Sequence, residues 1–394
     1  MMNRRTILGG LAAAFSATAA AATRKARAST ATPPSPPYDF EPRGNIGKLE
    51  RLSSLDLESR QDFLTGFRVW SNGPLGRAAQ VRAEDIFKEE GIDPNSDISI
   101  EALREVLERD PVIGASMRYW ISGQLISWKI LQEEFHGKAD IYLAELDAAD
   151  KAGPGTVKLA PDLKVPEYAS HEIHVQPGGY VGDPFAGHIY HYGTNHFYMG
   201  HNDQDEVHAQ LAAAVEPPAD GKVKRILDLA CGPGQLTLAL KDRFPDAEVW
   251  GLDVSAPMVR YAHMRAVELG RELHFVQALG EKTGFPDGFF DLVASYIVFH
   301  ETPASITRDI IGEVRRITRP NGVFQPFDFP TDEHPPTGYR RFRRWWDHRW
   351  NQEVWRNEFA SIHFPNEIEK AGFTVREARK GVLFFGRVHA TRNA

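Results

Sequence analysis

The sequence predicts an α/β fold, in which a doubly wound, mostly parallel sheet follows an N-terminal helical domain. Three observations predict it. From residue 223 onward, short apolar runs alternate with helical stretches of about 10–15 residues, the pattern of repeated β–α–β units. Between residues 48 and 150, apolar residues recur at helical spacing instead. The chain has 394 residues, enough for roughly two or three domains.

Composition excludes several classes of protein. Apolar residues make up 42% and charged residues 25% of the chain, ordinary values for a soluble globular protein. No run approaches the ~20 apolar residues of a membrane-spanning helix, so we predict no stable membrane insertion. The net charge of −7 argues against an electrostatic nucleic-acid binder. The single cysteine, Cys231, excludes an internal disulfide and a multi-cysteine zinc site.

Residues 1–28 resemble a twin-arginine export signal. Arg4 and Arg5 precede a weakly apolar, alanine-rich stretch, and residues 26–28 (Ala-Arg-Ala) form a small-x-small cleavage sequence. The signal predicts a periplasmic protein; the alternative is a disordered tail on a cytoplasmic one. Residues 29–47 hold four prolines between positions 33 and 37, so we expect an extended linker.

The next two segments show helical and irregular patterns in turn. Residues 48–150 carry no visible chemistry, so we expect a helical domain that acts as a substrate lid or as the contact of a homodimer. Residues 151–222 are rich in glycine, histidine and tyrosine and predict an irregular cap segment. Beyond them, strands are expected at 225–229, 248–252, 273–277, 290–296 and 322–327, with helices at 235–244 and 256–269.

A glycine loop lies between the first predicted strand and helix of the sheet. Gly232 and Gly234 let the backbone approach a ligand closely, because they have no Cβ. Asp253 ends the next strand, 19 residues beyond Gly234, where a carboxylate accepts hydrogen bonds from ribose hydroxyls. A dinucleotide site would have a small third residue, but Thr237 stands there. Asp228 would repel a pyrophosphate and suits an ammonium or sulfonium group.

Four motifs in this order resemble class I S-adenosylmethionine-dependent methyltransferases, in particular the small-molecule group that includes ubiquinone/menaquinone C-methyltransferases. The motifs are the loop 228–234 with the strand 249–255, the Phe-Pro-Asp segment 285–293, the turn 313–323, and a closing hairpin at 371–373 and 382–388. The resemblance covers about 223–327 and 365–389. It implies a Rossmann-like, seven-stranded sheet with an antiparallel last hairpin in a domain 223–394. It also implies S-adenosylmethionine as cofactor.

The resemblance implies a role for each residue that matches a family motif. The loop residues Ala230, Gly232 and Gly234 would lie against the methionine part of the cofactor, and Asp228 would hold its ammonium. Asp253 would bind the ribose. The residues expected around the adenine are Val254, Met258, Gly280 and Glu281. Here the sequence departs from the family, which commonly has Asp-Ala where this chain has Leu279-Gly280-Glu281.

Candidate general bases come from two places. His300 follows the strand 290–296, where the family often has a histidine; the alternative is a structural hydrogen bond. Seven of the 15 histidines fall between 171 and 208, and of these His196 is the second candidate. His188 and His191 invite a metal interpretation, but their spacing matches no established site, so we predict no metal.

The acceptor is expected to be a small molecule. Candidate substrate residues are the aromatic ones of the cap and of an insertion at 328–364, namely Tyr190, Tyr192, Tyr198, Trp345 and Trp346. The alternative for the insertion is an amphipathic helix that covers the core. The predicted function is S-adenosylmethionine-dependent methyl transfer to an aromatic or isoprenoid acceptor. The alternative is a protein of the same fold that binds the cofactor without standard activity.

The twin-arginine interpretation predicts that the first 28 residues export a folded reporter protein fused behind them. Replacing Arg4 and Arg5 together by lysine should abolish that export, because the pathway requires the arginine pair. Fractionation of cells that carry the two fusions measures it. Export by the lysine pair, or retention with the native pair, would contradict the signal and leave the protein cytoplasmic.

Overall fold

The computed structural model describes residues 52–331, 337–377 and 385–394. The predicted signal and linker lie outside the described residues. The described residues all belong to one compact unit. Among the described helices, none has the length and apolar content needed to cross a membrane.

A mixed sheet organises the C-terminal half and confirms the predicted fold class. In the described part of the chain it has eight strands in the order β1-β4-β3-β2-β5-β6-β8-β7. The pairs from β1 to β6 are parallel, whereas β8 is antiparallel to both β6 and β7. The strands are β1 Thr156–Lys158, β2 Arg225–Leu229, β3 Glu248–Asp253, β4 His274–Gln277, β5 Phe290–Tyr296, β6 Thr318–Asp328, β7 Phe373–Glu377 and β8 Gly386–Arg392.

The strand β1 is one more than the resemblance implied. It pairs with β4 at the sheet edge through only three residues, Thr156, Val157 and Lys158. So short a strand, inside a glycine-rich segment, leaves no alternating pattern to read.

Helices cover both faces of the sheet and build the N-terminal region. Those before the sheet are α1 Leu55–Trp70, α2 Gly76–Glu89, α3 Ile100–Leu107, α4 Pro111–Gly137, α5 Ala139–Ala149, α6 Ala186–Phe197 and α7 Glu206–Ala214. Those within and after it are α8 Gln235–Arg243, α9 Ala256–Glu268, α10 Ala304–Ile317, α11 Gly338–Trp350, α12 Arg356–Ser361 and α13 Phe364–Lys370. The Asp110 carboxylate accepts from the Val112 and Ile113 amides and so caps α4.

Two apolar layers hold the sheet, one on each face. Neighbouring residues of β2 point to opposite sides: Ile226 packs with α8 and α9, and Leu227 packs with α10 and α13. The carboxyl end of β2 lies between those of β3 and β5, since Leu229 is in register with Leu252 and Ser295. Ligands bind at such a point in open α/β sheets.

The cap segment contains regular helices rather than only loops. His188 and His191 lie on α6, and the glycines of this helix serve close packing instead of turns. A Cβ on Gly193 would come within 2.0 Å of the Trp128 ring, and one on Gly187 within 2.4 Å of Cβ of Tyr261. Glycine therefore lets α6 lie directly against α4 and α9.

Candidate cofactor and acceptor sites

Three cavities lie in a row at the carboxyl edge of the sheet. The first, the Asp253 cavity, is bounded by Ala230, Asp253, Val254 and Gly280. The second, the loop cavity, lies against Asp228 and the loop residues Ala230 and Gly232. The third, the Arg68 cavity, has a volume of about 310 Å³, within the range of small-molecule sites.

The cavities adjoin because they share walls. Ala230 bounds both the Asp253 cavity and the loop cavity. Tyr190 and Ile297 bound both the loop cavity and the Arg68 cavity. The structure therefore brings the predicted loop, the predicted ribose acid and one predicted substrate tyrosine to one continuous region.

The two glycines of the loop have different environments. Gly232 has φ +50°, and a Cβ placed on it would meet no described atom within 4 Å. Gly234 has φ +80°, but its Cβ would lie 2.8 Å from Cβ of Ala262. Gly232 thus keeps space open for a ligand in the loop cavity, whereas Gly234 lets α8 begin close to α9.

The carboxylate of Asp253 is held by backbone donors. Its Oδ2 accepts from the Gly232 amide and its Oδ1 from the Ser255 amide, both at 2.9 Å. Burial raises the pKa of Asp253, and these backbone hydrogen bonds oppose the rise. Each oxygen retains a lone pair, so the group is oriented and still able to accept hydrogen bonds from a ligand.

Asp228 offers a buried oxygen without a partner. The Thr237 hydroxyl donates to its Oδ2 at 2.6 Å, while its Oδ1 has no partner among the described residues. Burial raises the pKa of Asp228 to about 7, and the nearby Asp253 contributes to the rise. An unpaired buried carboxylate oxygen beside an open cavity is suited to a cationic or hydrogen-bond-donating group.

Two of the residues expected near the adenine lie behind the cavity walls. Met258 is buried on α9 and bounds none of the three cavities. Glu281 accepts from the Tyr168 hydroxyl at 2.7 and 2.9 Å, and Tyr168 itself bounds the Asp253 cavity. Val254 and Gly280 both lie on the wall of that cavity.

His300 lies on the wall of the Arg68 cavity. It is in a short 3₁₀ turn, Phe299–Glu301, directly after β5. Its Nδ1 is 2.7 Å from Oδ1 of Asp328, and both side chains are buried. Since the carboxylate fixes Nδ1 as the protonated nitrogen, Nε2 is left as the basic one. The sequence did not point to Asp328. This residue ends β6, which pairs with β5, and it therefore lies beside His300.

His196 differs from His300 in its surroundings. It is buried on α6, and neither ring nitrogen has a partner among the described residues. Burial, with a smaller contribution from the charge of Arg68, lowers its pKa to about 3. Its neighbours Thr194 and Phe197 bound the Arg68 cavity, but His196 does not.

The aromatic candidates divide into two groups. Tyr190 and Tyr198 line the Arg68 cavity, and Tyr198 is hydrogen-bonded to Tyr296. Tyr192, Trp345 and Trp346 bound none of the three cavities. Trp346 instead lies edge-on to Trp120 at 5.7 Å, and Trp345 packs beside it against the N-terminal helices. The apolar face of α11 thus meets α2, α3 and α4 rather than an acceptor.

Five charged or titratable residues of the Arg68 cavity were not singled out in the sequence. They are Arg68, His174, Asp347, Glu353 and Arg356. His174 Nε2 is 2.7 Å from Oε1 of Glu353, and this facing histidine lowers the pKa of Glu353 to about 2 against the effect of burial, which alone would raise it. They come from three distant segments, so only the folded chain brings them together.

Over the described ranges, no three His, Cys, Asp or Glu side chains are arranged to hold a metal.

Comparison with known proteins identifies the sheet region. Residues 226–322 match a family model described as a methyltransferase domain. The demethylmenaquinone methyltransferase of Thermus thermophilus is 39% identical over 125 residues, which are 32% of this chain and 54% of that protein. The chain contains a class I S-adenosylmethionine-dependent methyltransferase domain. This confirms the resemblance seen in the motifs, and S-adenosylmethionine is the cofactor of the domain.

Other relatives of the methyltransferase domain match over similar lengths. A ubiquinone/menaquinone biosynthesis C-methyltransferase of Burkholderia cenocepacia is 31% identical over 106 residues, 27% of this chain and 43% of that protein. The chain thus spans about half the length of the curated relatives it matches. A solved methyltransferase structure from Aquifex aeolicus is 22% identical, covers 43% of this chain and 84% of that one, and has a TM-score of 0.33.

The residues present fit the cofactor of the methyltransferase domain. The space beside Gly232 receives no side chain, and the unpaired Asp228 oxygen bounds the same cavity. Asp253 supplies an oriented acceptor in the adjoining cavity. A cofactor with an ammonium at one end and a ribose further along matches this order of groups.

Alanine at the two loop positions should affect different properties: ligand binding at Gly232 and the stability of the folded protein at Gly234. Gly232→Ala should weaken binding of S-adenosylhomocysteine, because the new methyl group enters the loop cavity, with a loss of stability of only about 1 kcal/mol from its positive φ. Gly234→Ala should cost about 1–3 kcal/mol of stability through overpacking against Ala262. Calorimetric titration and thermal melting of both variants measure the two effects. Normal affinity in a folded Gly232→Ala variant would remove the loop from the binding site.

The raised pKa of Asp228 predicts that stability and cofactor affinity change in opposite directions with pH. The pKa is about 7 in the folded protein against 3.8 ordinarily, so its contribution to stability is full below about 4 and lost as pH rises through 7. Affinity for a cofactor ammonium requires the ionised form, and should therefore fall by up to about tenfold per unit below pH 7. Titrations of S-adenosylhomocysteine between about pH 6 and 8 measure it. Asp228→Asn should flatten the profile; an equal slope in that variant would assign it to another group.

Proposed function

We propose that this protein transfers a methyl group from S-adenosylmethionine to a small organic acceptor held in the Arg68 cavity. The observation that carries the proposal is the row of cavities. Ala230 connects the Asp253 and loop cavities, and Tyr190 with Ile297 connects the loop cavity to the Arg68 cavity. A cofactor along the first two therefore reaches the boundary of the third.

The chain's own groups would hold the cofactor along its length. Asp253 accepts hydrogen bonds from the ribose hydroxyls, with Val254 and Gly280 on the wall toward the adenine. Asp228 receives the ammonium at its unpaired oxygen, and Gly232 admits the methionine part. When bound, the cofactor would supply an electrophilic methyl group for in-line transfer to the acceptor atom.

The Arg68 cavity would position the acceptor and remove its proton. Aromatic walls exclude water and hold the acceptor near the boundary formed by Tyr190 and Ile297, and such positioning alone supplies much of the rate of a displacement. His300 Nε2, left as the unprotonated ring nitrogen by the contact of Nδ1 with Asp328 at 2.7 Å, accepts a proton from an acceptor hydroxyl or acidic carbon.

An aromatic or isoprenoid acceptor is the finer part of the proposal. It is supported by the names of the relatives, which refer to demethylmenaquinone and to ubiquinone/menaquinone biosynthesis. It is also supported by six aromatic rings on the cavity walls, those of Trp120, Tyr190, Phe197, Tyr198, Phe329 and Phe385. Flat aromatic faces favour a planar acceptor.

We further propose a periplasmic location on the basis of residues 1–28. The reporter fusion described above tests it.

A labelled-methyl assay tests the proposed reaction. The full chain is first titrated with S-adenosylhomocysteine, and then incubated with S-adenosylmethionine carrying a deuterated methyl group and a small-molecule extract. Mass spectrometry should detect an organic molecule that has gained the labelled methyl. The contrary outcome is that the protein binds S-adenosylhomocysteine yet gives no labelled product with either a cytoplasmic or a periplasmic extract. That result would instead support a cofactor-binding protein that has lost turnover.

The proposed base gives a matched pair of variants for that assay. His300→Gln should lower turnover by about 10²–10⁴ and leave S-adenosylhomocysteine affinity nearly unchanged, because the base acts on the acceptor. His196→Gln tests the second candidate, and exposed His201 provides the control as His201→Gln. If neither His300→Gln nor His196→Gln slows turnover more than a few-fold, catalysis depends on positioning alone.

A further inference from the structure

Two arginines of the Arg68 cavity lack the anion that buried guanidinium groups normally require. Arg68 is only 5% exposed. Its Nη1 donates to the neutral amide oxygen of Gln124 at 3.1 Å, and its Nε has no partner. Within the described ranges, no carboxylate oxygen lies within 4.0 Å of it. A buried cation without a paired anion is costly.

Arg356 approaches the same cavity from the opposite segment of the chain. Its guanidinium lies over the Phe329 ring, 3.5 Å from the centroid. The described residues offer it neither a hydrogen bond nor an ion pair. Arg68 is likewise stacked on an aromatic ring, that of Trp120 at 4.0 Å. Stacking orients both guanidinium planes and leaves their N–H edges without a protein acceptor.

The acids that line or adjoin this cavity form no ion pair with either arginine, although the charge of Asp347 acts on both. Oε1 of Glu353 is 2.7 Å from Nε2 of His174, and its Oε2 has no hydrogen-bond partner among the described residues. Asp347 accepts from the side-chain amide of Asn351 at 3.0 Å, and Asp328 is paired with His300. Both guanidinium groups are therefore without a hydrogen-bonding anion, although carboxylates lie in the same cavity.

We propose that the acceptor carries an oxyanion on an aromatic body, and that Arg68 and Arg356 bind this oxyanion. This inference rests on the proposed function and narrows its substrate class. The oxyanion is a carboxylate or a phosphate, since both match the guanidinium edge with parallel hydrogen bonds. The aromatic side chains of the cavity walls contact the ring, and the atom that receives the methyl points toward Tyr190 and Ile297.

An uncharged isoprenoid chain does not meet these requirements. It would leave both guanidinium edges unpaired and in contact with hydrocarbon, where a cation is least stable. An aromatic acid satisfies both the charge and the walls. The two arginines thus select, among planar acceptors, those with a negative group.

Binding of matched probes to the full chain tests the inference. Dissociation constants of benzoate, benzamide and phenyl phosphate are measured by ligand-observed NMR with saturating S-adenosylhomocysteine. Benzoate and benzamide have nearly the same shape and differ in charge. The expected result is a preference for benzoate or phenyl phosphate over benzamide of roughly 10- to 100-fold. A stronger preference for benzoate assigns a carboxylate, and one for phenyl phosphate assigns a phosphate.

Variants then locate the charge that makes the difference. Arg68→Gln and Arg356→Gln should each reduce the preference to within a few-fold, while Arg60→Gln on the exposed face of α1 should retain it. Melting curves identify any variant that does not fold. If Arg68→Gln does not fold, the inference is decided by the Arg356→Gln variant and by the preference of the native chain for the charged probes. Equal binding of benzoate, phenyl phosphate and benzamide to the native chain overturns the inference. So does an unchanged preference in the folded arginine variants.

The same measurements separate this inference from the proposed function. Failure of the native chain to bind S-adenosylhomocysteine would remove the methyl-transfer proposal itself. Normal binding of S-adenosylhomocysteine without any preference for the charged probes would remove only the oxyanion.

Discussion

The hydrogen bond from the Gly232 amide to Asp253 is the constraint on which the cofactor region depends. It ties the loop after β2 to the end of β3 at 2.9 Å. The loop cannot shift without releasing the carboxylate, and the carboxylate cannot turn without releasing the loop. The open space beside Gly232 and the direction of Asp253 are therefore consequences of one contact between adjacent parallel strands, set before any ligand arrives.

The acids around this contact repel one another, and their burial makes the repulsion strong. Asp228, Asp253 and Glu301 all have raised pKa values, in each case first because of burial and then, for Asp228 and Glu301, because of neighbouring acids. A region that tolerates buried carboxylates at this cost is arranged for a positively charged occupant. The Arg68 cavity differs, because charged groups of both signs line it: Arg68 and Arg356 lie there together with Asp347 and Glu353.

Much of the sheet and its loop could be predicted because their signals are local. A strand, a glycine loop and an acid at the next strand end occupy a short stretch of sequence, and the pattern of each is set by backbone geometry. Glycine was ambiguous: Gly187 and Gly193 look like loop residues but serve a close helix contact. The aromatic face of α11 was ambiguous too. Its periodicity shows that Trp345 and Trp346 lie on a covered face, but it does not show whether other helices or an acceptor cover them.

The Arg68 cavity could not be predicted for a different reason. Arg68, His174 and Glu353 carry no common motif, and each belongs to a segment that looks ordinary by itself. Their juxtaposition depends on how α1, the cap and the insertion pack, which no local pattern specifies. Asp328 is an intermediate case, because the parallel pairing of β5 and β6 places it beside His300 once the strand order is known.

Most residues of the Arg68 cavity lie outside the recognisable methyltransferase domain, although Ile297 and His300 belong to it. Arg68, Tyr190, Glu353 and Arg356 all lie outside residues 226–322, which match the family. This protein shares with its relatives the domain that contains the candidate cofactor loop. Most side chains of the proposed acceptor cavity belong instead to segments that the family match does not cover. The substrate of a relative is therefore a guide only to the shared domain, and the shape of this cavity has to be interpreted from its own residues.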